Sequence, residues 1–368
     1  MRGFWPVFRK EAVQMIRDRG TLRFALMIPA FQLVLFGLID MNVKHVPTVA
    51  FDQSRTAQSR ELLSDFVNTS YFDIVADVSS RAALYEAIIA GRASVGIEIP
   101  PDFARRRLND QPADVLVLVD GSDSTVSSQA LAAVNGVALS QSVAELAERA
   151  GVTDLPIRLH PLFLFNPDSR TANLLIPGLV AILLTFSGTL LAAFAIVRER
   201  ERGTLEQLMV TPASPIAVIL GKLLPYLVLA FLQLLFILFL MTVVFRVPIH
   251  GSLPLLLALS TVYLFALLSL GLLVSSRART QMEAIQVAQG FLLPSIMLSG
   301  YIFPLASLPG PLRIVSQILP ATHFIAIARA IIIRGAAFPD LWRSVAALLA
   351  IAVVLVAAST RAFHKTIS

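Results

Sequence analysis

The chain has 368 residues, of which 56% are hydrophobic and only 15% charged, and its formal net charge is +6. This balance excludes an ordinary soluble domain and favours a membrane protein with several helical spans. The sequence has no cysteine, which excludes disulfides, a thiolate nucleophile and a zinc–thiolate site.

Residues 1–21 are predicted to form an amphipathic helix, and residues 22–40 a first membrane span. Apolar and aromatic residues between Phe4 and Ile16 interleave with basic ones, which is typical of a helix lying in the membrane interface. The alternative is a basic flank without fixed structure. A secretory signal is disfavoured because no small-residue cleavage site follows Ile39.

Residues 41–173 are predicted to form an α/β domain. Apolar, β-branched runs predict four strands separated by helical patterns, and this alternation favours an α/β fold with a parallel or a mixed sheet. The predicted strands are Val46–Phe51, Phe72–Ala76, Ser94–Ile99 and Val115–Val119. The acidic turn at 120–123 lacks the spacing of a calcium loop, so an N-capped turn is preferred to a metal site.

Five more apolar runs follow and are predicted to be membrane spans. They cover residues 174–197, 217–245, 253–274, 285–303 and 341–360, and a tail follows at 361–368. The predicted fold class is therefore a polytopic α-helical membrane protein with six transmembrane helices and an α/β domain inserted between helices 1 and 2.

The distribution of basic residues predicts the orientation. Fourteen of the 30 Lys and Arg residues lie in 1–23, 198–222, 275–284 and 360–368, whereas segment 41–173 has 11 basic and 16 acidic residues. The positive-inside rule then puts both termini in the cytoplasm and 41–173 outside. The excess positive charge marks topology, so nucleic acid is not expected as a partner.

A charged run at 198–202 is predicted to be a loop between the second and third spans. Thr204 and Gln207 have the spacing of a capping box, and Leu205, Leu208 and Met209 fall on one helical face. Pro212 ends the segment. The pattern predicts a short helix at 204–211 with an apolar face at the membrane surface.

Segment 304–340 is too long for a simple connection, and prolines divide it into two short apolar pieces. Neither piece can span a membrane alone, so two outer re-entrant helices are predicted. The segment is either an outer gate or a structural plug. Pro320, His323 and Arg329 are the candidate gate residues.

The predicted spans carry no carboxylate at mid-membrane depth, which disfavours an ion-driven pump and indicates an energy source outside this chain. Mild polar residues within the spans are candidates for a translocation path, or alternatively for hydrogen bonds between helices. These residues are Gln32, Thr185, Thr189, Gln286, Gln289 and Ser295.

The run Glu199–Pro212, followed by Gly221–Tyr226, resembles the type-2 ABC transporter permease family, here of the multidrug export type. The segments 319–324 and 329–335 resemble the same family. The resemblance implies that the N-terminal helix is an elbow helix and that 204–211 is a coupling helix docking on an ATPase. The coupling residues so implied are Arg198, Glu199, Arg200, Glu201, Arg202, Gly203, Thr204, Leu205, Glu206, Leu208 and Met209.

The same resemblance implies a complex of two permease subunits, identical or related, with a cytosolic ABC ATPase dimer. ATP and magnesium are then expected on the ATPase, and this chain is expected to bind no cofactor or metal and to catalyse no reaction. Membrane lipids and a periplasmic adaptor are further expected partners. The expected function is export of amphiphilic or hydrophobic compounds, such as drugs or lipid-like molecules, across a bacterial inner membrane.

Three alternatives stay open at this level. A polysaccharide or another glycan is an alternative exported substrate. A membrane sensor with an outer ligand-binding domain would need a cytoplasmic output domain, for which the predicted loops are too short. A membrane-embedded transferase or hydrolase would need clustered carboxylates or histidines at one membrane face, which the sequence lacks.

Overall fold

The structure is a computed structural model, and it describes residues 4–39, 44–109, 111–122, 124–149, 165–168, 170–201, 203 and 215–365. The chain divides into two compact units. The α/β unit covers Met41–Leu162, and the helical unit combines Met1–Asp40 with Phe163–Ser368. Residues 150–164, between the two units, lie outside the described residues, so the boundary predicted at 173 stays a prediction.

The helical unit begins with two helices, α1 at Phe4–Arg17 and α2 at Arg19–Gly37. On α1, Val7 and Glu11 are buried while Trp5 and Ile16 are exposed, so the helix has one face in the protein and one outside it. The apolar part of α2, Ala25–Gly37, is shorter than a full membrane span.

The α/β unit contains four strands at the predicted positions, to within two residues, with helices between them. In chain order its elements are β1 Val46–Asp52, α3 Ala57–Asn68, β2 Phe72–Asp77, α4 Arg81–Ile89, β3 Val95–Ile99, α5 Phe103–Leu108, β4 Leu116–Val119 and α6 Ser124–Arg149. The strand order is β2-β1-β3-β4. The β1 strand is parallel to β2 and β3, and β4 is antiparallel to β3, so the sheet is mixed.

Helices cover both faces of this sheet. Side chains of α3, α5 and α6, including Phe66 and Phe103, pack with Ile97 on one face. On the other face Leu84 of α4 packs with Val49 of β1. The β3 strand is buried along its whole length, as expected for a central strand with a helix on each side.

The helical unit continues with seven α-helices and a short 3₁₀-helix, Leu305–Ser307, among its described residues. The α-helices are α7 Thr171–Glu201, α8 Pro215–Val243, α9 Leu253–Arg277, α10 Gln281–Leu298, α11 Gly310–Ile318, α12 Pro320–Ile332 and α13 Phe338–Lys365. Four of these, α7, α8, α9 and α13, are long and apolar enough to cross a membrane; α11 and α12, bent by 81°, make five if counted as one span. The predicted first and fifth spans are helical as α2 and α10 but do not meet the same standard, so the count of six stays a prediction.

The centre of the helical unit is the contact between α7 and α9. At Gly271 of α9, an added Cβ would lie 2.6 Å from the Ala192 Cβ of α7 and still closer to the Thr189 carbonyl oxygen. Only glycine permits so close an approach of the two backbones. Further along α9, the Tyr263 ring stacks on Phe324 of α12 at 4.2 Å between centroids. α12 is therefore part of the buried core.

Candidate functional site

The last turn of α7 holds the charged run that was predicted to be a loop. That prediction is wrong for residues 198–201, which continue the helix, because Arg and Glu are good helix formers and their side chains find partners on other helices. Gly203 follows with a φ of +67°, and its amide donates to the Arg200 carbonyl oxygen at 3.1 Å. This left-handed glycine is a usual way to end a helix.

Two lysines and two glutamates meet beside this turn and form what we call the ionic junction: Lys10 and Glu11 of α1, Glu199 of α7 and Lys222 of α8. The Lys222 Nζ lies 2.8 Å from Glu11 Oε1 and 2.6 Å from Glu199 Oε2. The Lys10 Nζ lies 2.5 Å from Glu199 Oε1. The side chains of Lys222, Glu11 and Glu199 are at most 5% exposed.

Local packing explains how the junction is shielded from solvent. Gly221 precedes Lys222 on α8, and a Cβ added there would lie 2.9 Å from a methyl carbon of Val7. The missing side chain lets α1 lie directly on α8, with Glu11 one turn beyond Val7 on the same face. Charges buried this deeply are tolerated only when they are paired, and the junction is neutral with two charges of each sign.

The neighbouring charges of the α7 turn bind three further parts of the helical unit. Arg198 Nη1 lies 2.7 Å from the Asp18 Oδ2, between α1 and α2. Arg200 donates to the carbonyl oxygens of Ser276 and Ala278 at the end of α9. Glu201 accepts hydrogen bonds from the backbone and side chain of Gln281, the first residue of α10. One helical turn therefore contacts α1, the junction of α1 and α2, the first half of α8, the end of α9 and the start of α10.

The remaining residues predicted for ATPase coupling cannot be placed in the same way. Arg202, Thr204, Leu205, Glu206, Leu208 and Met209 lie outside the described residues, as does the whole predicted helix 204–211. The described members, Arg198–Glu201 and Gly203, immediately precede that segment. Their role in coupling stays a prediction.

Sequence reasoning missed Glu11 and Lys222 as partners, since 211 residues separate them. Two signals were present. Glu11 is a single carboxylate on the face of α1 that otherwise carries Val7 and Met15, and Lys222 follows a glycine at the start of a long apolar helix. A charge on an apolar face suggests a buried partner of opposite sign.

The candidate translocation residues fall into two groups. Thr185 and Thr189 are buried inside the helical unit, and so is Ser295, whose hydroxyl donates to the Phe291 carbonyl oxygen at 2.8 Å. Gln286 and Gln289, in contrast, are exposed on α10. Gln32 on α2 is partly exposed.

Thr185 belongs to a buried contact between α7 and α9. Its hydroxyl lies 2.5 Å from the Tyr263 hydroxyl, and both groups donate to the Ala181 carbonyl oxygen, at 2.8 and 3.0 Å. A similar contact joins Gln233 of α8 to the Ser187 hydroxyl at 2.7 Å. Both arrangements are hydrogen bonds between helices, the alternative reading for polar residues in spans.

The three candidate gate residues lie on α12. Pro320 is its first residue, and His323 is buried with its Nε2 2.9 Å from the Gln317 carbonyl oxygen of α11. Arg329 donates to the carbonyl oxygens of Gly300 and Tyr301, at 2.9 and 3.1 Å, just beyond the end of α10. These contacts fix α12 to its neighbours, and a gating role stays a prediction.

The family of the chain follows from comparison with known proteins. A family model described as "ABC-2 family transporter protein" matches residues 19–361. The chain is 32% identical to "Probable multidrug ABC transporter permease YbhS" of Escherichia coli over 89% of the chain and 87% of that protein. It is 26% identical to "Inner membrane transport permease YhhJ" of the same organism, over 100% and 98%. It is also 26% identical to "ABC transporter G family member 20" of Dictyostelium discoideum, over 91% of this chain and 47% of that protein. The chain therefore belongs to the ABC-2 family of transporters.

Proposed function

We propose that this chain is the membrane permease subunit of an ATP-driven exporter in a bacterial inner membrane. The ionic junction is the observation that carries the proposal, because it fixes the helix that leads directly into segment 204–211. A displacement of that segment would be passed on to α1, α8 and the start of α10 through Glu199, Arg198 and Glu201. This is the mechanical connection that a permease driven by another subunit needs.

The energy in this proposal comes from a cytosolic ABC ATPase dimer, which carries the ATP and magnesium. Segment 204–211 docks on the ATPase through Leu205, Leu208 and Met209, as a coupling helix at the cytoplasmic surface. Both termini are then cytoplasmic, and segment 41–173 lies outside, where it can meet a periplasmic adaptor. This orientation rests on the positive-inside distribution of Lys and Arg.

The exposed face of α10 favours a translocation path between two permease subunits. Gln286 and Gln289 lie on one side of this helix with the exposed side chains of Met282 and Leu293. A glutamine amide facing hydrocarbon lacks hydrogen-bond partners, which costs free energy. A second subunit or a water-filled path at this face satisfies the amides, and the aliphatic neighbours suit an amphiphilic or hydrophobic substrate. The name of the relative YbhS, which includes multidrug transport, agrees with this substrate class.

The proposal is tested at the coupling helix. Leu205→Glu with Met209→Glu puts two charges on the docking face, and burying an unpaired charge costs several kcal/mol. Association with the ATPase should fall by more than about a hundredfold, since ~1.4 kcal/mol is a tenfold change. The measurement is recovery of the ATPase with the purified permease, at matched membrane expression.

Gln207→Glu is the matched control, because residue 207 is predicted to lie on the opposite face of the same helix. It adds negative charge to the same segment and should leave recovery of the ATPase unchanged. Normal recovery with the double variant would contradict the coupling role. An equal loss with Gln207→Glu would show a general charge effect instead.

A further inference from the structure

The outward face of α1 combines exposed apolar side chains with a charged one. Trp5, Val13 and Ile16 are 66%, 42% and 65% exposed. In the helix they lie opposite Glu11, which is buried against the rest of the helical unit. Arg9 is exposed between Trp5 and Val13, one turn from each. The tryptophan, valine and isoleucine do not suit bulk water, and the arginine does not suit hydrocarbon, so the face suits a boundary between the two.

The surface around this face carries positive charge that the protein leaves uncompensated. Glu11 and Asp18 are the acidic residues of the sequence between positions 4 and 37. Both are used inside the protein, because they lie 2.8 and 2.7 Å from Lys222 of α8 and Arg198 of α7. Four exposed arginines of α1 and of the start of α2 form no ion pair within the part of the chain that the structure describes: Arg9, Arg17, Arg19 and Arg23.

A layer of anionic phospholipid head groups matches both properties. At the depth of the phosphates, aromatic and aliphatic side chains reach the first acyl carbons, and guanidinium groups donate to phosphate oxygens. Zwitterionic lipids match less well, because each carries a cation beside its phosphate. A second copy of this chain would bring the same positive charge to the contact. An acidic protein surface would pair with the arginines but would not account for the three exposed apolar side chains.

We propose that the outward face of α1, together with the start of α2, is a binding surface for anionic phospholipids. Arg9 and Arg17 bind the head-group phosphates, and the apolar side chains of the same face contact the acyl chains. The sequence predicts a helix in the membrane interface, and the unpaired arginines add a selectivity for negatively charged lipid. The surface needs neither the ATPase nor an exported substrate, so the proposal stands or fails separately from the proposed function.

Trp5 supplies the probe for the test, because the chain has one other tryptophan, Trp342. The full chain with Trp342→Phe is reconstituted without ATPase in nanodiscs of phosphatidylcholine and a minor fraction of phosphatidylglycerol. Acyl chains brominated near the head group are placed on the phosphatidylglycerol or on an equal amount of phosphatidylcholine, and quenching of Trp5 fluorescence reports which lipid lies beside it. We expect a preference of about tenfold or more for brominated phosphatidylglycerol, since each arginine close to anionic head groups contributes a factor of roughly five.

Paired substitutions assign the preference to individual arginines. Arg9→Gln with Arg17→Gln changes exposed positions, so α1 keeps its buried contacts, and the preference should fall by about tenfold. Arg9→Lys with Arg17→Lys keeps the charge and should retain most of the preference. Arg313→Gln with Arg334→Gln is the matched control, because it removes the same charge from exposed positions on α11 and after α12, and it should leave the preference unchanged.

Three results overturn the proposal. Equal quenching by the two brominated lipids would exclude a selectivity for anionic head groups. Quenching by neither would show that this face of α1 lies away from the acyl chains, and would leave an acidic protein surface as its occupant. A preference that survives Arg9→Gln with Arg17→Gln, or that falls as much in the control, would exclude these two arginines as its source.

Discussion

Replacing Lys222 by methionine tests whether the ionic junction holds the helical unit together. The methionine side chain fills a similar volume but carries no charge, so Glu11 and Glu199 lose the ammonium group 2.8 and 2.6 Å away. Two buried carboxylates then remain with Lys10. Removing one partner of a buried ion pair typically costs about 3–5 kcal/mol, because the charge left behind has lost both water and its partner.

The expected loss is large enough to measure by thermal unfolding of the purified chain in detergent. At about 2–4 °C per kcal/mol, the midpoint should fall by roughly 6–20 °C. Lys10→Met is the matched control, because this lysine is 46% exposed and Glu199 keeps its contact with Lys222. A partly exposed ion pair contributes at most about 1 kcal/mol, so the control should shift the midpoint by only a few degrees.

A double variant separates charge from packing. Glu11→Gln added to Lys222→Met leaves one buried carboxylate, Glu199, with one cation, Lys10. If the loss in Lys222→Met arises from uncompensated negative charge, the double variant should be more stable than Lys222→Met alone. Equal effects of Lys222→Met and Lys10→Met, or a further loss in the double variant, would refute this electrostatic reasoning.

Three further predictions concern packing, topology and pH. Gly271→Ala should lower the stability of the helical unit by about 1–3 kcal/mol in the same thermal assay, because the alanine Cβ would overlap the backbone of α7. Gly188→Ala is the control, since its Cβ would lie at an ordinary contact distance of 3.5 Å from Leu267. Single cysteines in this cysteine-free chain report topology. An impermeant thiol reagent should label Ser54→Cys and Ser252→Cys from outside, and Ser276→Cys only after lysis. The reverse pattern would overturn the orientation. Fragment 44–172 should fold alone. Within this fragment, the hydrogen bond from Arg106 holds the pKa of the Asp102 carboxyl below its ordinary value of 3.8. The stabilisation is present above the ordinary pKa and is lost as the pH falls through the lowered pKa. Because Arg106→Gln removes the hydrogen bond, it should raise the pKa of Asp102 in a carboxyl NMR titration. An unchanged titration would exclude this interaction.

The sequence predicts much of the α/β unit because its strands and helices have distinct periods. Runs such as Ser94–Ile99 carry the signal of a buried strand, and β3 occupies Val95–Ile99. The direction of β4 was not predictable, because it depends on how the chain between α5 and β4 returns to the sheet. In that connection Arg106, which pairs with Asp102 one turn back, also contacts Asp114.

The end of α7 shows where local reasoning fails. Charged residues after an apolar run suggest that a membrane helix has ended, yet Arg198–Glu201 remain helical because α1, α8, α9 and α10 supply their partners. Those partners come from distant parts of the chain and leave no local pattern. The apolar face predicted at 204–211 depends only on residues within that segment, and it stays a prediction because the segment lies outside the described residues.

The charged turn of α7 also has a consequence for how the helix can move. Successive residues of an α-helix project about 100° apart, so the side chains from Arg198 to Glu201 reach their partners in four directions around the axis. Rotation of α7 by one residue would break all of these contacts together, and bending would have to break at least some of them. The Glu201 end of α7 is therefore torsionally stiff. A force applied just beyond it is expected to displace α7 and its bound neighbours as one rigid body.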